Sequence, residues 1–283
     1  MIIISINGGL GNQLFQYAFG KHLEYIHKME VFYDLSVFKN PGHREFALNH
    51  FNVTIKEVGQ NKLPFNFRRS FKKFRLISKL LNKTLYPYRL VTQKQFNFDT
   101  SYLEKIKNAY YLGSWQSERY FSGVKDTIKN HFTFKDSNFS EQEKTIYQKI
   151  TSTNSICLHV RRGDYVGSKL HPVCDISYYQ QAIKVIAEKI ENPHFFIFSD
   201  DMSWCKNNIS MEWPLEFITT SEAWRDFKLM SHCQHYIIAN SSFSWWTAYL
   251  GKHEEKVVIS PKNWFNNVEY STKDLLPETW LAI

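Results

Sequence analysis

Two arginines, a histidine and an aspartate crowd into His159-Val-Arg-Arg-Gly-Asp-Tyr165, directly after an apolar run that reads as a buried strand. Guanidinium groups keep their charge at any physiological pH and offer forked donors, so this cluster suits the oxygens of a diphosphate, including one that departs with a nucleoside. The plainer alternative is a structural Arg–Asp pair at a strand end. A second polar run, Asn240-Ser-Ser-Phe-Ser244, falls between a predicted strand and a predicted helix. Its backbone N–H groups and hydroxyls make either a second anion site or simply a helix N-cap. Asp200-Asp201 follows a third strand, and adjacent carboxylates without a further acidic neighbour do not match a D-x-D metal site. A carboxylate there can accept from the N1–H and exocyclic amine of a guanine, or cap the helix that starts near Met202.

Several other chemistries are excluded. Gly9 and Gly11 open a dinucleotide fingerprint, with Asp34 at a suitable distance, but the third glycine position holds Leu14, so that pyrophosphate turn is not built. No G-x-x-x-x-G-K-S/T, G-x-S-x-G or H-E-x-x-H occurs, which removes P-loop hydrolysis and two common hydrolase signatures. His232-Cys-Gln-His235 lacks further ligands and reads as packing, and Trp245 and Trp246 read as wedges between helix and sheet. Cys157, Cys174, Cys205 and Cys233 show no C-x-x-C spacing and read as reduced thiols of a cytosolic protein.

These clusters need elements that deliver them to one edge. Met1–Ile6 reads as a strand, a three-glycine turn follows, Asn12–His27 reads as a helix and Met29–Tyr33 as a second strand. This is a βαβ opening whose helix N-terminus faces whatever the turn cradles. Residues 40–94, with Pro41, Pro64 and Pro87, read as irregular, and Tyr110–Gly113 as a further strand. Beyond the polar stretch Asp136–Ser155, read as a connector, strands over Ser155–Val160, His194–Ser199, Glu216–Thr219, Tyr236–Ala239 and Lys256–Ser260 alternate with helices over Ser177–Ile190, Met202–Asn207, Trp224–Ser231 and Ser244–Leu250. Such alternation demands right-handed crossovers and a buried parallel sheet, with ligands beyond the carboxyl ends of the strands. All three polar clusters stand at such ends. The predicted domains are residues 1–150 and 151–283.

A length of 283 residues suits two such domains, and 43% apolar with 22% charged residues excludes disorder. The net charge of +8 invites a nucleic-acid partner, yet Asn61–Lys94 alone holds ten basic residues and no acidic one, which leaves −2 on the remainder. The basicity belongs to one segment, and no nucleic-acid partner is expected. Within it Phe71, Phe74, Ile77, Leu80 and Leu81 recur at three- and four-residue steps, predicting a basic amphipathic helix over 68–83. That helix either docks on its own domain or brings residues 61–94 into peripheral contact with an anionic membrane. No apolar run approaches the ~18 residues of a membrane span, and Ser5 and Asn7 interrupt the opening apolar run.

Five blocks in order, Gly8-Gly-Leu-Gly-Asn-Gln-Leu-Phe-Gln-Tyr17, Gly113-Ser-Trp-Gln-Ser-Glu-Arg-Tyr-Phe121, His159 to Tyr165, Phe198-Ser-Asp-Asp201 and Ser241-Ser-Phe-Ser-Trp-Trp246, give the chain its resemblance to the bacterial α-1,2-fucosyltransferases. That family also contains the H-type histo-blood-group enzymes. The central block departs slightly, with Gly-Ser-Trp where Gly-Tyr-Trp is more familiar. The resemblance covers nearly the whole chain and implies an α/β, GT-B-like fold of two Rossmann-type domains facing a cleft. Residues 1–150 would be the acceptor side and residues 151–283 would bind GDP-fucose, without a metal or other cofactor. It implies an inverting transfer of L-fucose to a galactose-terminated glycan, expected at O-2, in cytoplasmic synthesis of a surface polysaccharide such as O-antigen; the alternative is a GT-B-like transferase using another GDP-sugar, since a GDP site says little about which hexose is attached. By the same resemblance Arg161 binds the β-phosphate, His159 and Asp200 hold guanosine, and Ser242 to Ser244 donate to the diphosphate. Arg162, Ser241 and Phe243 line the donor site, and Asn12 reaches the donor from the other domain. Asp164, then Glu118, then His171 are the candidate general bases.

Overall fold

The computed structural model describes residues 1–59, 88–135, 138–267, 270 and 272–283. They gather into two compact units, Met1–Thr133 and Phe134–Ile283, each built on its own parallel sheet. The helix predicted over 68–83 lies outside the described residues.

The first unit opens with the predicted βαβ order, β1 (Ile2–Ser5), α1 (Leu10–His27) and β2 (Val31–Asp34). β3 (Arg89–Thr92), β4 (Ala109–Leu112) and α2 (Lys125–His131) follow, and the sheet order is β2-β1-β4-β3. β1 pairs Ile2 with Val31 on one side and with Ala109 on the other, so its isoleucines are wholly buried. α1 starts earlier than its sequence suggests, because Gly8 turns the chain at φ +78° and Gly9 serves as N-cap. Gln13 and Gln16, both buried, fasten the surrounding loops. Gln13 donates to the carbonyls of Gly8 and Glu45 and accepts from the Ala47 N–H, while Gln16 accepts from the Asn7 N–H and donates to the Gly113 carbonyl. A Cβ on Gly20 would stand 2.7 Å from the Tyr33 hydroxyl, so helix and sheet approach more closely there than a side chain permits. Aromatic residues, 17% of the chain, fill part of this core: Trp115 stacks on Phe19 at 4.2 Å, with Tyr111 and Tyr120 edge-on around the pair.

In the second unit α3 (Glu141–Ser152) occupies the stretch read as a connector. Ser140 and Glu143 form a reciprocal capping box, and Ile146 and Ile150, one turn apart, seat an otherwise polar helix. The division between the units accordingly falls after Thr133 rather than at 150. β5 (Asn154–Val160), α4 (Ile176–Ala187), β6 (Pro193–Ser199), α5 (Met202–Asn208), β7 (Leu215–Ile218), α6 (Ala223–Met230), β8 (His235–Ile237), α7 (Ser242–Leu250) and β9 (Val258–Ser260) follow the predicted alternation. A two-residue edge strand, β10 (Leu281–Ala282), adds to β9. The order β10-β9-β8-β5-β6-β7 places β5 and β8 side by side where the winding reverses, and the crevice at such a switch point is where parallel sheets bind ligands. Ile156, Leu158 and Val160 of β5 pack with α4 and α5, while His159 turns towards Phe243 of α7.

Candidate active site

Parallel pairing of β5 with β6 sets Val160 opposite Ser199, so the residues that follow each strand, Arg161 and Asp200, emerge side by side. The Arg161 guanidinium spans two carboxylates, with Nη2 2.6 Å from Asp164 Oδ1 and Nη1 3.0 Å from Asp200 Oδ2. The backbone N–H of Arg162 donates to Asp200 Oδ1 at 2.9 Å, and its side chain pairs with Asp201 at 3.1 Å while lying 4.4 Å from the Trp204 ring. A Cβ on Gly163 would sit 2.5 Å from Asp200 Oδ2, so this turn closes on the carboxylate only because the residue is glycine. The plainer reading of each cluster is thus realised locally: the arginines form strand-end ion pairs, and Asp201 caps α5 by accepting from the Trp204 N–H.

His159 is buried, and burial together with the Arg161 charge pushes its pKa down to about 3. The ring is therefore neutral at pH 7, and its buried Nδ1 has no hydrogen-bond partner among the described residues. It faces Phe243 at 5.7 Å, which meets Phe227 of α6 edge-on at 5.2 Å.

On the β8 side Ser241 is the N-cap of α7, accepting from the Phe243 N–H. Ser244 is fully buried and its hydroxyl lies on the carbonyls of Ala239 and Ser241, which turns it back into the helix start. Ser242, the first residue of the helix, is partly exposed. The Tyr165 hydroxyl donates to the Asn240 carbonyl at 3.1 Å, tying the loop after β5 to the loop after β8 across the switch point. The structure thus gathers His159, Arg161, Arg162, Asp164, Asp200, Ser241, Ser242 and Phe243 on one rim of the second unit. Asn12 and Glu118 belong to the first unit: Asn12 Oδ1 accepts from Gln116 at 2.8 Å, and Glu118 pairs with Lys125 at 2.9 Å. Trp245 and Trp246 are fully buried, as their packing role requires. His232 and His235 meet backbone groups, and among the described residues no cluster of three or more His, Cys, Asp or Glu is placed to hold a metal ion.

Comparison with known proteins decides the family, because the description Glycosyl transferase family 11 matches residues 1–283, the entire chain. The chain belongs to glycosyl transferase family 11. It is 34% identical to an Escherichia coli alpha-1,2-colitosyltransferase over all of this chain and 99% of the relative. It is 31% identical to the Escherichia coli O-antigen biosynthesis glycosyltransferase WbnK, covering 95% of this chain and 97% of the relative. The human galactoside alpha-(1,2)-fucosyltransferase 1 is 28% identical over 58% of this chain and 49% of its own length. In structure the chain resembles NodZ alpha-1,6-fucosyltransferase soaked with GDP-fucose, with a TM-score of 0.53 at 14% identity over 88% of this chain and 91% of that one. The fold is therefore of the GT-B type, as the motif resemblance implied.

Two residues gain significance only from the structure. Asp226 on α6 has a buried Oδ1 without a partner among the described residues, and burial raises its pKa to about 6 against the hydrogen bonds from Thr220. In the sequence Asp226 stands between Arg225 and Phe227 in the stretch Trp224–Met230, where its neighbour Arg225 makes it look like one more solvated charge. Tyr165 was visible as the last residue of its motif, but its reach to Asn240 depends on which strands are neighbours.

Proposed function

We propose that this family 11 glycosyltransferase moves L-fucose from GDP-β-L-fucose to O-2 of a terminal galactose, inverting the anomeric carbon, in the synthesis of a surface polysaccharide such as O-antigen. The observation that carries the reading is the Arg161 fork, held by Asp164 and Asp200 at the switch point beside the N-terminus of α7. In the reaction the acceptor oxygen bonds the anomeric carbon while the bond from that carbon to the phosphate oxygen breaks, and GDP leaves with the electron pair. Arg161 and the α7 N-terminus stabilise the charge that gathers on the departing phosphate, so the scheme uses no metal. Asp200 already serves two N–H groups, whereas Asp226 keeps an unmatched buried acceptor on the α6 helix whose Phe227 meets Phe243. Asp226 is therefore a better carboxylate than Asp200 for the N1–H and amine of guanine. The human relative is named for fucose and galactosides and the WbnK relative for O-antigen, which supports this choice of donor, acceptor and product. The work would be done in the cytoplasm, with residues 61–94 bringing the protein to an anionic membrane.

A second reading replaces fucose by colitose, and the 34% identical colitosyltransferase favours it. Colitose is L-fucose without its 3-hydroxyl. A site that hydrogen-bonds that hydroxyl rejects the deoxy sugar by about 10⁴-fold or more, whereas an apolar site discriminates only about 10²-fold. Incubation with GDP-fucose or GDP-colitose and a panel of terminal galactosides, read by mass spectrometry and linkage analysis, tests both. An α-1,2-fucoside is the expected product, and transfer of neither sugar overturns the proposal.

A further inference from the structure

We propose that His171 is the general base that takes the proton of the acceptor hydroxyl, an assignment that rests on the sugar-transfer reading above. Its ring stacks on Tyr165 at 4.8 Å with an 11° angle between planes, and the Tyr165 ring lies 5.5 Å from the Arg161 guanidinium carbon. The imidazole thus stands one ring away from the group that would hold the leaving phosphate. His171 Nδ1 is 3.3 Å from the Trp264 carbonyl oxygen. A carbonyl only accepts, so Nδ1 carries the hydrogen and Nε2 keeps its lone pair, with no partner among the described residues.

The loop that bears this histidine is firmly built. Ser168 Oγ accepts from the N–H groups of Leu170 and His171, and Asn266 donates to the Leu170 and Ser168 carbonyls. Val166 and Leu170 on the same loop are 60% and 39% exposed, an apolar surface suited to the nonpolar face of a pyranose. The charged groups that face the ring are Asp164 and, across Tyr165, Arg161; Phe265 covers it at 5.4 Å. Burial holds its pKa below the ordinary 6.5, outweighing the Trp264 hydrogen bond and the Asp164 charge, so the base is unprotonated at neutral pH. Asp164, by contrast, spends Oδ1 on Arg161 and acts as its positioning partner. In the step, the hydroxyl proton passes to Nε2 as the oxygen bonds the anomeric carbon and GDP departs with the electron pair of the broken bond. The imidazolium then yields that proton to water.

His171→Asn tests this, since the amide N–H replaces the Nδ1 donor towards Trp264 but supplies no basic atom. With GDP-fucose and a soluble galactoside, wild-type transfer should fall as pH drops through the pKa of His171. The variant should lose about 10²-fold or more in transfer, lose that acid limb, and bind GDP within about threefold of wild type by calorimetry. Sodium azide, a nucleophile that needs no deprotonation, should restore sugar transfer in the variant as the glycosyl azide. Transfer within about threefold of wild type, loss of GDP binding together with transfer, or failure of azide rescue each overturns the assignment. A wild-type protein that transfers no sugar to any galactoside defeats the reading of function instead.

Discussion

Replacing Arg161 by alanine separates its structural from its chemical contribution. In the resting protein the cost is small. The side chain is 22% exposed and its partners Asp164 and Asp200 are 52% and 25% exposed, so solvent screens both pairs and each contributes about 0.2–1 kcal/mol. Asp200 also keeps the Arg162 N–H. At about 2–4 °C per kcal/mol the unfolding midpoint should drop by no more than a few degrees. In the transition state the same arms would face the phosphate as it takes up charge. Removing one preorganised donor of that kind costs about 2.7–4 kcal/mol, or 10²–10³ in kcat, and Arg161 offers a fork. A fall of about 10³-fold in kcat with a nearly unmoved midpoint is the expected result, measured by GDP release alongside a thermal melt. Arg161→Lys should recover little, because an ammonium cannot replace the fork. Transfer by Arg161→Ala within about threefold of wild type, under ~1 kcal/mol, would refute the role. Loss of the folded state would refute the screening argument.

Gly163→Ala drives a methyl against the Asp200 carboxylate and should lower kcat/KM for the donor by at least about tenfold, whereas an unchanged value would show that the turn yields freely. Activity should survive EDTA, because Arg161 supplies the positive charge; loss restored specifically by manganese would count against the scheme. Burial raises the Asp226 pKa from 3.8 to about 6, so the folded state holds that proton more tightly than the unfolded chain. The stability this confers is full below pH 3.8 and is lost as pH rises through 6. Asp226→Asn should therefore raise the melting midpoint at pH 7.5, with the gain vanishing near pH 4, while weakening GDP binding; equal midpoints at both pH values would contradict it.

Much of the second unit is legible because buried parallel strands such as Ile156–Val160 and Phe195–Phe198 must be apolar on both faces and must end in polar turns. α3 is illegible for the opposite reason. Ile146 and Ile150 are the whole of its apolar stripe, and the capping box at Ser140 and Glu143 is easily read as part of a polar connector. β3 exposes most of Arg89–Thr92 at a sheet edge and carries no strand pattern. The site divides in the same way. Which polar clusters stand at strand ends follows from local pattern, but the sharing of Asp200 between Arg161 and the Arg162 N–H, the back-bonding of Ser244 and the stack of His171 on Tyr165 follow from strand order. Strand order is a non-local property.

The position of β5 also sets a timetable for synthesis. One edge of this strand is covered by β6, but the other waits for His235–Ile237 of β8. From Val160 to His235 is a matter of about 75 residues, or roughly 4–15 s of translation at 5–20 residues per second. Throughout that interval a nascent chain carries a bare, strongly β-prone edge at the centre of its future sheet. The intermediate most open to mispairing is therefore a chain that has passed β7 and has not yet supplied His235–Ile237.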